Sequence, residues 1–214
     1  MPVSVTDWLL YFCVCMLTPA VIAYLFGNIN GAILISKYIF HEDVRTKGSG
    51  NAGLTNFYRN YGGKYAALVI MLDALKMVAA VIAACLLMGW TVEAKLWGGL
   101  FCALGHMFPA VYQFKGGKGI LSCGTLLLML DWRVALVAWG IFLLLAFLTR
   151  YVSLGSVMCA LTTPVTVALC YPGHPVALGL MTLTAALVVW AHRGNISRLL
   201  KGTERKFTFK RNDP

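Results

Sequence analysis

The stretch that decides the fold is residues 65–88, which read YAALVIMLDALKMVAAVIAACLLM. Apart from Asp73 and Lys76, every side chain in it is apolar or aromatic. An α-helix rises ~1.5 Å per residue, so ~20 apolar residues cross the ~30 Å hydrocarbon layer of a bilayer. Residues 65–88 therefore predict a transmembrane helix.

The rest of the chain has the same apolar character. Of its 214 residues, 59% are hydrophobic and 12% are charged, against roughly half and a quarter in soluble domains. So little polar surface cannot cover a water-facing globule, which excludes a disordered chain, a secreted disulfide scaffold and a cytosolic enzyme. The seven cysteines are an odd number inside apolar runs and lack the spacing of metal ligands, so we expect neither a metal nor another cofactor.

Several other blocks resemble residues 65–88, and we predict an all-α membrane protein that forms a single integral-membrane domain over residues 1–214. Its seven predicted spans are residues 8–28, 65–88, 96–112, 120–132, 134–149, 152–171 and 175–191. No Lys or Arg precedes the first block, so we expect it to remain as a helix and not to be cleaved as a signal peptide. The block 120–132 is short enough for a re-entrant segment, or for fusion with the next block into one span.

Positive charge decides between these topologies. The chain has 18 Lys and Arg against 8 Asp and Glu, a net charge of +10. With seven spans, one side receives Arg45, Lys47, Arg59, Lys64, Lys115, Lys118, Arg150 and all basic residues of the tail from Arg193 to Arg211. Lys and Arg tend to stay cytoplasmic, so we predict seven spans with the N-terminus outside and the C-terminus in the cytoplasm. The basic residues are separated by apolar blocks, so no nucleic-acid partner is expected.

The first cytoplasmic loop concentrates glycine and small polar residues. It reads RTKGSGNAGLTNFYR from Arg45 to Arg59. Glycines let backbone N–H groups turn towards an anion, while short polar side chains and arginine donate to phosphate oxygens. The loop predicts an oxyanion site whose candidate residues are Ser49, Gly50, Asn51, Thr55, Asn56 and Arg59. The alternative is a flexible connector in which Gly and Ser only form turns.

A second polar motif joins two predicted spans. His106-Met-Phe-Pro ends one span, and Phe114-Lys-Gly-Gly-Lys-Gly opens the next. A glycine loop before a helix exposes N–H groups and the positive end of the helix dipole, which suits a phosphate. The candidate residues are Lys115, Gly116, Gly117, Lys118 and Gly119. The motif is not a Walker A loop, because Tyr112 replaces its first glycine and Gly119 follows the lysine. Ordinary positive-inside lysines and a structural His106 are the alternatives.

A third motif, HRGNISRLLKGTE, runs from His192 to Glu204 after the last span. His192 and Asn195 are three residues apart and share a helical face. Alone, the segment could be a basic flank that stops transfer through the membrane. Seven spans, however, bring all three motifs to one side, which favours a single site. Asp73 and Lys76 are predicted to form a buried ion pair beneath that site.

The three motifs and the Asp73–Lys76 pair together resemble the bacterial acyl-phosphate:glycerol-3-phosphate acyltransferase family, PlsY, from the first span to the tail. The chain departs from the family pattern at Leu54, at Met77 and in Ile120-Leu-Ser122, where Val-Ala-Thr is common. None of these departures removes a charged or nucleophilic group. Ser122 is expected to keep the hydroxyl function of the threonine.

The resemblance implies transfer of a fatty acyl group from acyl phosphate to the 1-hydroxyl of sn-glycerol 3-phosphate at the cytoplasmic face of a bacterial inner membrane. The products are lysophosphatidic acid, which stays among the membrane lipids, and phosphate. The soluble enzyme that makes acyl phosphate is a further expected partner. We expect direct transfer, because acyl phosphate is already activated and a covalent Ser49 intermediate is not required.

The reaction needs cations for phosphate, donors for a developing oxyanion and a proton acceptor. We expect Arg59 and Lys118 to bind phosphate, and the glycine-loop amides with Asn51 or Ser49 to bind the oxyanion. His192, Asn195 and Glu204 are expected at the glycerol phosphate, and Arg198 is a further candidate for substrate binding. The base remains open between His106, His192 and a phosphate oxygen of the substrate.

Two other functions are less well supported by the sequence. The motif of acyl-CoA-dependent enzymes, His followed by Asp five residues later, is absent, because Thr46, Val111, Gly179 and Ser197 occupy that position after the four histidines. An anion transporter or channel would use Asp73 and Lys76 as coupling residues. It would place its basic motifs near mid-membrane, and the sequence contains no visible inverted repeat.

Overall fold

The computed structural model describes residues 4–208, and within that range every regular element is a helix. The α-helices are α1 (Val5–Phe12), α2 (Thr18–Gly27), α3 (Gly31–Ile39), α4 (Leu54–Tyr61), α5 (Ala66–Met88), α6 (Val92–Met107), α7 (Ile120–Leu130), α8 (Trp132–Thr149), α9 (Val152–Cys170), α10 (Pro175–Ala191) and α11 (Arg193–Leu200). A π-helical turn joins α1 to α2, and short 3-10 turns lie at 44–46 and 110–112. The predicted all-α class is confirmed.

Four described helical stretches are long and apolar enough to cross a membrane, namely Trp8–Ile39, α5, α8 and α9. The pair α10 and α11, bent by 58°, forms a fifth if it is taken as one span. Helix α6 falls below the length of a full span, and α7 is shorter still. The count of seven spans and the orientation of the termini therefore stay predictions.

Two predicted span boundaries differ from the observed helices. The block 96–112 is the helix Val92–Met107, because the chain turns at Phe108 before Pro109. The block 120–132 ends at Leu130 because Asp131 caps α8, accepting a 2.8 Å hydrogen bond from the backbone N–H of Arg133. Helices α7 and α8 are thus separate, and the indole N–H of Trp139 donates to the carbonyl of Gly124 across their hairpin.

Close glycine contacts pack α2 against α6. A Cβ atom on Gly105 would lie 2.2 Å from the carbonyl oxygen of Tyr24, and one on Gly27 would lie 2.3 Å from that of Cys102. Small residues allow helix backbones to approach this closely within a membrane bundle. The contact holds the C-terminal ends of α2 and α6 side by side, which places the loops that follow them together.

The loops at one end of the bundle contact one another. The backbone N–H of Ala52 donates to Gly116, and that of Phe207 donates to Arg150. The opposite end carries different pairs, His174 with Glu93 and Asp131 with Arg133. The three polar motifs of the sequence therefore lie at one end of the bundle, which we call the motif end.

Candidate functional site

A cavity of about 520 Å³ opens among the three motifs at the motif end. Polar side chains from all three motifs line one part of it, and apolar residues of α5, α7, α8 and α9 line the other. The predicted residues in the lining are Ser49, Asn51, Thr55, Asn56, Arg59, His106, Lys118, Gly119, His192, Asn195, Arg198 and Glu204. A molecule with an anionic head and a hydrocarbon chain matches this division.

Asn56 fixes the shape of the first loop. Its buried side chain donates to the carbonyls of Val44 and Lys47, and its Oδ1 accepts the backbone N–H of Ser49 at 3.0 Å. Gly48 and Gly50 adopt positive φ angles of 57° and 70°, a conformation that glycine enters without strain. The N–H of Gly50 donates to Lys47. The amides of Ser49 and Gly50 are therefore occupied within the loop.

The second loop leaves its helix N-terminus open. The N–H groups of Gly116 and Gly117 donate back to the carbonyls of Met107 and His106. Gly119, with a φ of 76°, precedes α7 and provides no side-chain cap. The first N–H groups of a helix have no intrahelical partner, so the start of α7 presents donors to the cavity, where Gly119, Ile120 and Leu121 lie.

Helix α11 brings the third motif over the second. His192 and Asn195 are both buried, and the ammonium of Lys118 donates to Oδ1 of Asn195. The Nδ2 of Asn195 donates to Oε1 of Glu204 at 2.7 Å. Lys118, Asn195 and Glu204 are thus joined in one chain of hydrogen bonds that links two separated motifs.

Three donors hold the Glu204 carboxylate. Besides Asn195, the hydroxyl of Ser153 donates to Oε1 at 2.7 Å and Nε of Arg198 donates to Oε2 at 2.7 Å. Burial raises the pKa of Glu204, but the hydrogen bonds from these three side chains and the charge of Arg198 bring it below its usual value. Ser153 gave no signal in the sequence, because a serine at the start of an apolar helix is common.

Positive charge exceeds negative charge in the polar part of the cavity. Arg59, Lys118, Arg198 and Arg205 line it against Glu204. Burial, with the nearby charges of Arg198 and Arg59, lowers the pKa of Lys118 to about 8 even though Glu204 opposes the shift. Burial is also the main cause of a lowered pKa at Arg59. An anionic ligand would relieve this repulsion.

Beneath the polar part, the predicted Asp73–Lys76 ion pair is present and includes a third residue. The Nζ of Lys76 lies 2.7 Å from Oδ1 of Asp73 and 2.6 Å from Nδ1 of His106. All three side chains are almost fully buried. His106 is thus tied to α5 as well as to the cavity.

The apolar part was not predicted residue by residue. Ile70, Leu121, Trp139, Phe142 and Val152 contribute to it. Such residues resemble every other apolar side chain of a membrane helix, so the sequence contains no signal that separates cavity lining from lipid-facing surface.

Five predicted residues lie outside the lining. Gly50 and Gly116 make the backbone hydrogen bonds of their loops, and Gly117 packs against His106. Lys115 is exposed, and its carbonyl accepts a hydrogen bond from Arg45. Ser122 is fully buried and donates to the carbonyl of Asp73 at 3.4 Å, which keeps its hydroxyl out of the cavity.

Known proteins resemble this chain over most of its length. A sequence model of the family described as glycerol-3-phosphate acyltransferase matches residues 17–202. The glycerol-3-phosphate acyltransferase of Pseudomonas fluorescens is 40% identical over 188 residues, which cover 88% of this chain and 97% of the relative. That of Rhodopseudomonas palustris is 41% identical over 186 residues, covering 87% and 93%.

The fold is similar to crystal structures of PlsY (YgiH), an integral membrane glycerol 3-phosphate acyltransferase. The glycerol 3-phosphate form matches with a TM-score of 0.82 and 35% identity over 90% of this chain and 95% of that one. The lysophosphatidic acid form matches with a TM-score of 0.79 and 34% identity over the same shares. These similarities confirm the resemblance carried by the three motifs.

Proposed function

Because the chain belongs to the glycerol-3-phosphate acyltransferase family and is a membrane enzyme of that family, we propose that acyl phosphate is its acyl donor. The fatty acyl group passes directly to the 1-hydroxyl of sn-glycerol 3-phosphate. Lysophosphatidic acid and inorganic phosphate are the products.

The division of the cavity is the observation that carries this proposal. Its polar part offers an excess of cations for two phosphate-bearing substrates, and its apolar part accepts a hydrocarbon chain. An acyl phosphate bound across the two parts has its carbonyl carbon at their junction. Glycerol 3-phosphate bound in the polar part then has its hydroxyl next to that carbon.

In the proposed reaction, the 1-hydroxyl oxygen attacks the acyl carbonyl carbon. A carbon–oxygen bond to glycerol forms, the bond between the carbonyl carbon and the phosphate oxygen breaks, and the hydroxyl proton passes to a base. The mixed anhydride is already reactive, so no acyl intermediate on Ser49 is needed.

In this proposal, separate groups of side chains bind the phosphate of the acyl donor and the phosphate of glycerol 3-phosphate. Arg59 and Lys118 bind the phosphate of the donor, assisted by the open N-terminus of α7. Arg198 and Asn195 bind glycerol 3-phosphate, and Glu204 keeps both side chains in position through hydrogen bonds of 2.7 Å. The other polar residues of the first loop in the cavity lining are Ser49, Asn51, Thr55 and Asn56.

His192 is the histidine whose hydrogen bonding suits a base. Its Nδ1 lies 2.8 Å from the carbonyl oxygen of Val188, to which it donates, so Nε2 has a free lone pair. A phosphate oxygen of the substrate is the competing base. A His192→Gln variant whose rate loses the acidic limb of its pH profile supports the histidine, and a variant with an unchanged profile supports the phosphate.

We place the reaction at the cytoplasmic face of a bacterial inner membrane. The motif end carries most of the basic residues, and such residues tend to remain cytoplasmic. A water-soluble enzyme that makes acyl phosphate can deliver it there, and the product can leave into lipid through the apolar part.

The test is acyl transfer by the purified protein in detergent. With acyl phosphate and glycerol 3-phosphate we expect lysophosphatidic acid, and with acyl-CoA we expect little or none. Arg59→Ala and Lys118→Ala are expected to abolish the product. Lys64→Ala, a change at an exposed residue of the same end outside the cavity, is the matched control and is expected to keep full activity.

Two results would contradict the proposal. Product formed equally well from acyl-CoA would overturn the choice of donor. Phosphate uptake into vesicles without any acyl transfer would instead support an anion transporter.

A further inference from the structure

His106 is hydrogen-bonded to the buried ammonium of Lys76, which has an acceptor for each of its three N–H groups. The Nζ of Lys76 lies 2.7 Å from Oδ1 of Asp73, 2.7 Å from the carbonyl oxygen of Ile29 and 2.6 Å from Nδ1 of His106. An ammonium has three N–H donors and no acceptor. Each of the three donors therefore has one acceptor, and Nδ1 of His106 is one of them.

This arrangement sets the tautomer of the imidazole. Since Nδ1 accepts a hydrogen bond, the ring proton of a neutral His106 is on Nε2. A second proton at Nδ1 would point at the Lys76 ammonium. His106 can therefore donate from Nε2, but it is not arranged to remove a proton from a substrate.

Nε2 of His106 faces the cavity. Among the described residues, every side-chain nitrogen or oxygen that is fully enclosed by protein has a hydrogen-bond partner. Nε2 of His106 has no partner in that part of the chain, so it is not fully enclosed. His106 lines the cavity, so Nε2 is open to it. Gly117 keeps the neighbouring space clear, because a Cβ atom there would lie 2.2 Å from Nε2.

We propose that His106 is a neutral N–H donor to the acyl carbonyl oxygen, and that Asp73 and Lys76 are positioning residues that fix this tautomer. The proposal rests on the acyl-transfer function proposed above. The carbonyl is the acceptor because the two phosphates are assigned to Arg59, Lys118 and Arg198, whereas His106 is neutral and is tied to Lys76 of α5. As the carbon–oxygen bond to glycerol forms, negative charge develops on that oxygen and strengthens the hydrogen bond. No proton leaves Nε2.

The spectroscopic test measures the imidazole directly. The protein labelled with ¹⁵N-histidine is examined in detergent between pH 6 and 8.5, with His106→Asn used to assign the signal. We expect a protonated Nε2 and an unprotonated Nδ1 across the whole range. In the double variant Asp73→Asn/Lys76→Met, which avoids an unpaired buried charge, we expect the Nδ1 signal to shift. A proton on Nδ1, or titration within the range, in the wild type would overturn the proposal.

The kinetic test separates a transition-state donor from a structural residue. We expect His106→Ala to lower kcat about 100-fold, the usual loss for one oxyanion donor, with KM for both substrates within about threefold. His106→Asn, whose amide can still donate, is expected to recover about tenfold. Its pH profile is expected to keep the wild-type shape. His174→Asn, a change at an exposed histidine of the opposite end, is the control.

Three outcomes have different meanings. A raised KM with unchanged kcat would overturn the oxyanion role, and a lost acidic limb in His106→Asn would show that His106 is the base. A wild-type protein that makes no lysophosphatidic acid would overturn the proposed function, and the catalytic role of His106 with it. The histidine spectrum is read separately from activity, so a failure of the tautomer assignment is recognised even when the enzyme is active.

Discussion

At the scale of single residues, the charge of Lys118 predicts a pH dependence. Its pKa is lowered to about 8, chiefly by burial and further by Arg198 and Arg59. Lysine is charged below its pKa, so the free enzyme loses this cation as the pH rises through 8. Glycerol 3-phosphate is already dianionic there, since the second pKa of a phosphate ester is about 6. We expect KM for the phosphate substrates to rise above pH 8 while kcat changes less, because bound phosphate favours the ammonium.

The measurement is kcat and KM between pH 6.5 and 9.5. Arginine has a pKa above ~12, so Lys118→Arg is expected to move the basic limb out of this range. If KM of Lys118→Arg rises at the same pH as in the wild type, a group other than Lys118 is titrating.

Glu204 supports a second prediction at this scale. Its carboxylate accepts hydrogen bonds from Ser153, Asn195 and Arg198. In Glu204→Gln one oxygen becomes an N–H₂ group, which cannot accept a hydrogen bond, and the negative charge paired with Arg198 is lost. Hydrogen bonds to charged groups are worth about 1.5–3 kcal/mol, so we expect kcat/KM for glycerol 3-phosphate to fall about 10- to 100-fold.

The control for Glu204→Gln is Glu42→Gln, which removes an exposed partner of Lys47 at the same end. Exposed ion pairs contribute little, so this variant is expected to stay within about twofold of the wild type. Thermal unfolding of both variants checks that they fold. Equal activity of Glu204→Gln and the wild type would show that the carboxylate does not position substrate-binding groups.

At the scale of elements, the glycine loop between α6 and α7 can be tested with one methyl group. A Cβ atom on Gly117 would lie 2.2 Å from Nε2 of His106 and 2.9 Å from the carbonyl oxygen of Ala52. Gly117→Ala must therefore displace the ring or the loop. We expect acyl transfer to fall at least 100-fold, with only a small change in the unfolding temperature.

Gly140→Ala is the matched control, because a Cβ atom there meets nothing within 4 Å. It lies inside α8, where alanine favours the helix by roughly 0.5–1 kcal/mol over glycine. Normal activity in Gly117→Ala would indicate that the loop adapts and that its close packing is not needed.

The sequence predicted those parts of the site that carry recognisable chemistry. Arg59, Lys118, Asn195 and Glu204 stand out as polar or charged residues beside apolar blocks, and the cavity contains all four. The prediction that they converge rests on a count of seven spans together with the distribution of basic residues. The pair Asp73 and Lys76 could be predicted because helical spacing alone brings i and i+3 together.

The remaining features depend on contacts between helices, which no local pattern encodes. Ser153 can donate to Glu204 only because the tail folds back over α9 and places the carboxylate beside it. His106 is tied to Lys76 because α6 packs closely on α5 at Gly98, where a Cβ atom would lie 2.9 Å from the carbonyl oxygen of Ala80. Ser122 shares α7 with the lining residues Ile120 and Leu121, but its side chain points to α5, where it donates to the carbonyl of Asp73. Trp139 and Phe142 line the cavity because of how α8 packs in the bundle, and their residue types do not distinguish them from other apolar residues of the helix.

At the scale of the whole molecule, the two ends of the bundle should face opposite sides of the membrane. The motif end contains α11, with Ser197 exposed on it, and the opposite end contains the exposed His174. The basic residues concentrate at the motif end, which predicts that this end is cytoplasmic. Single cysteines at these two positions, in a variant without the seven natural cysteines, report the orientation.

A membrane-impermeant maleimide added to intact spheroplasts of an expressing bacterium is expected to label His174→Cys. It is expected to label Ser197→Cys only after the membrane is permeabilised. Both variants must retain acyl transfer, which shows that the labelled molecules are folded. Labelling of Ser197→Cys from outside would place the cavity away from a cytoplasmic donor. Labelling of both positions from the same side would contradict an odd number of crossings between the two ends, because α10 alone separates these two positions in the chain.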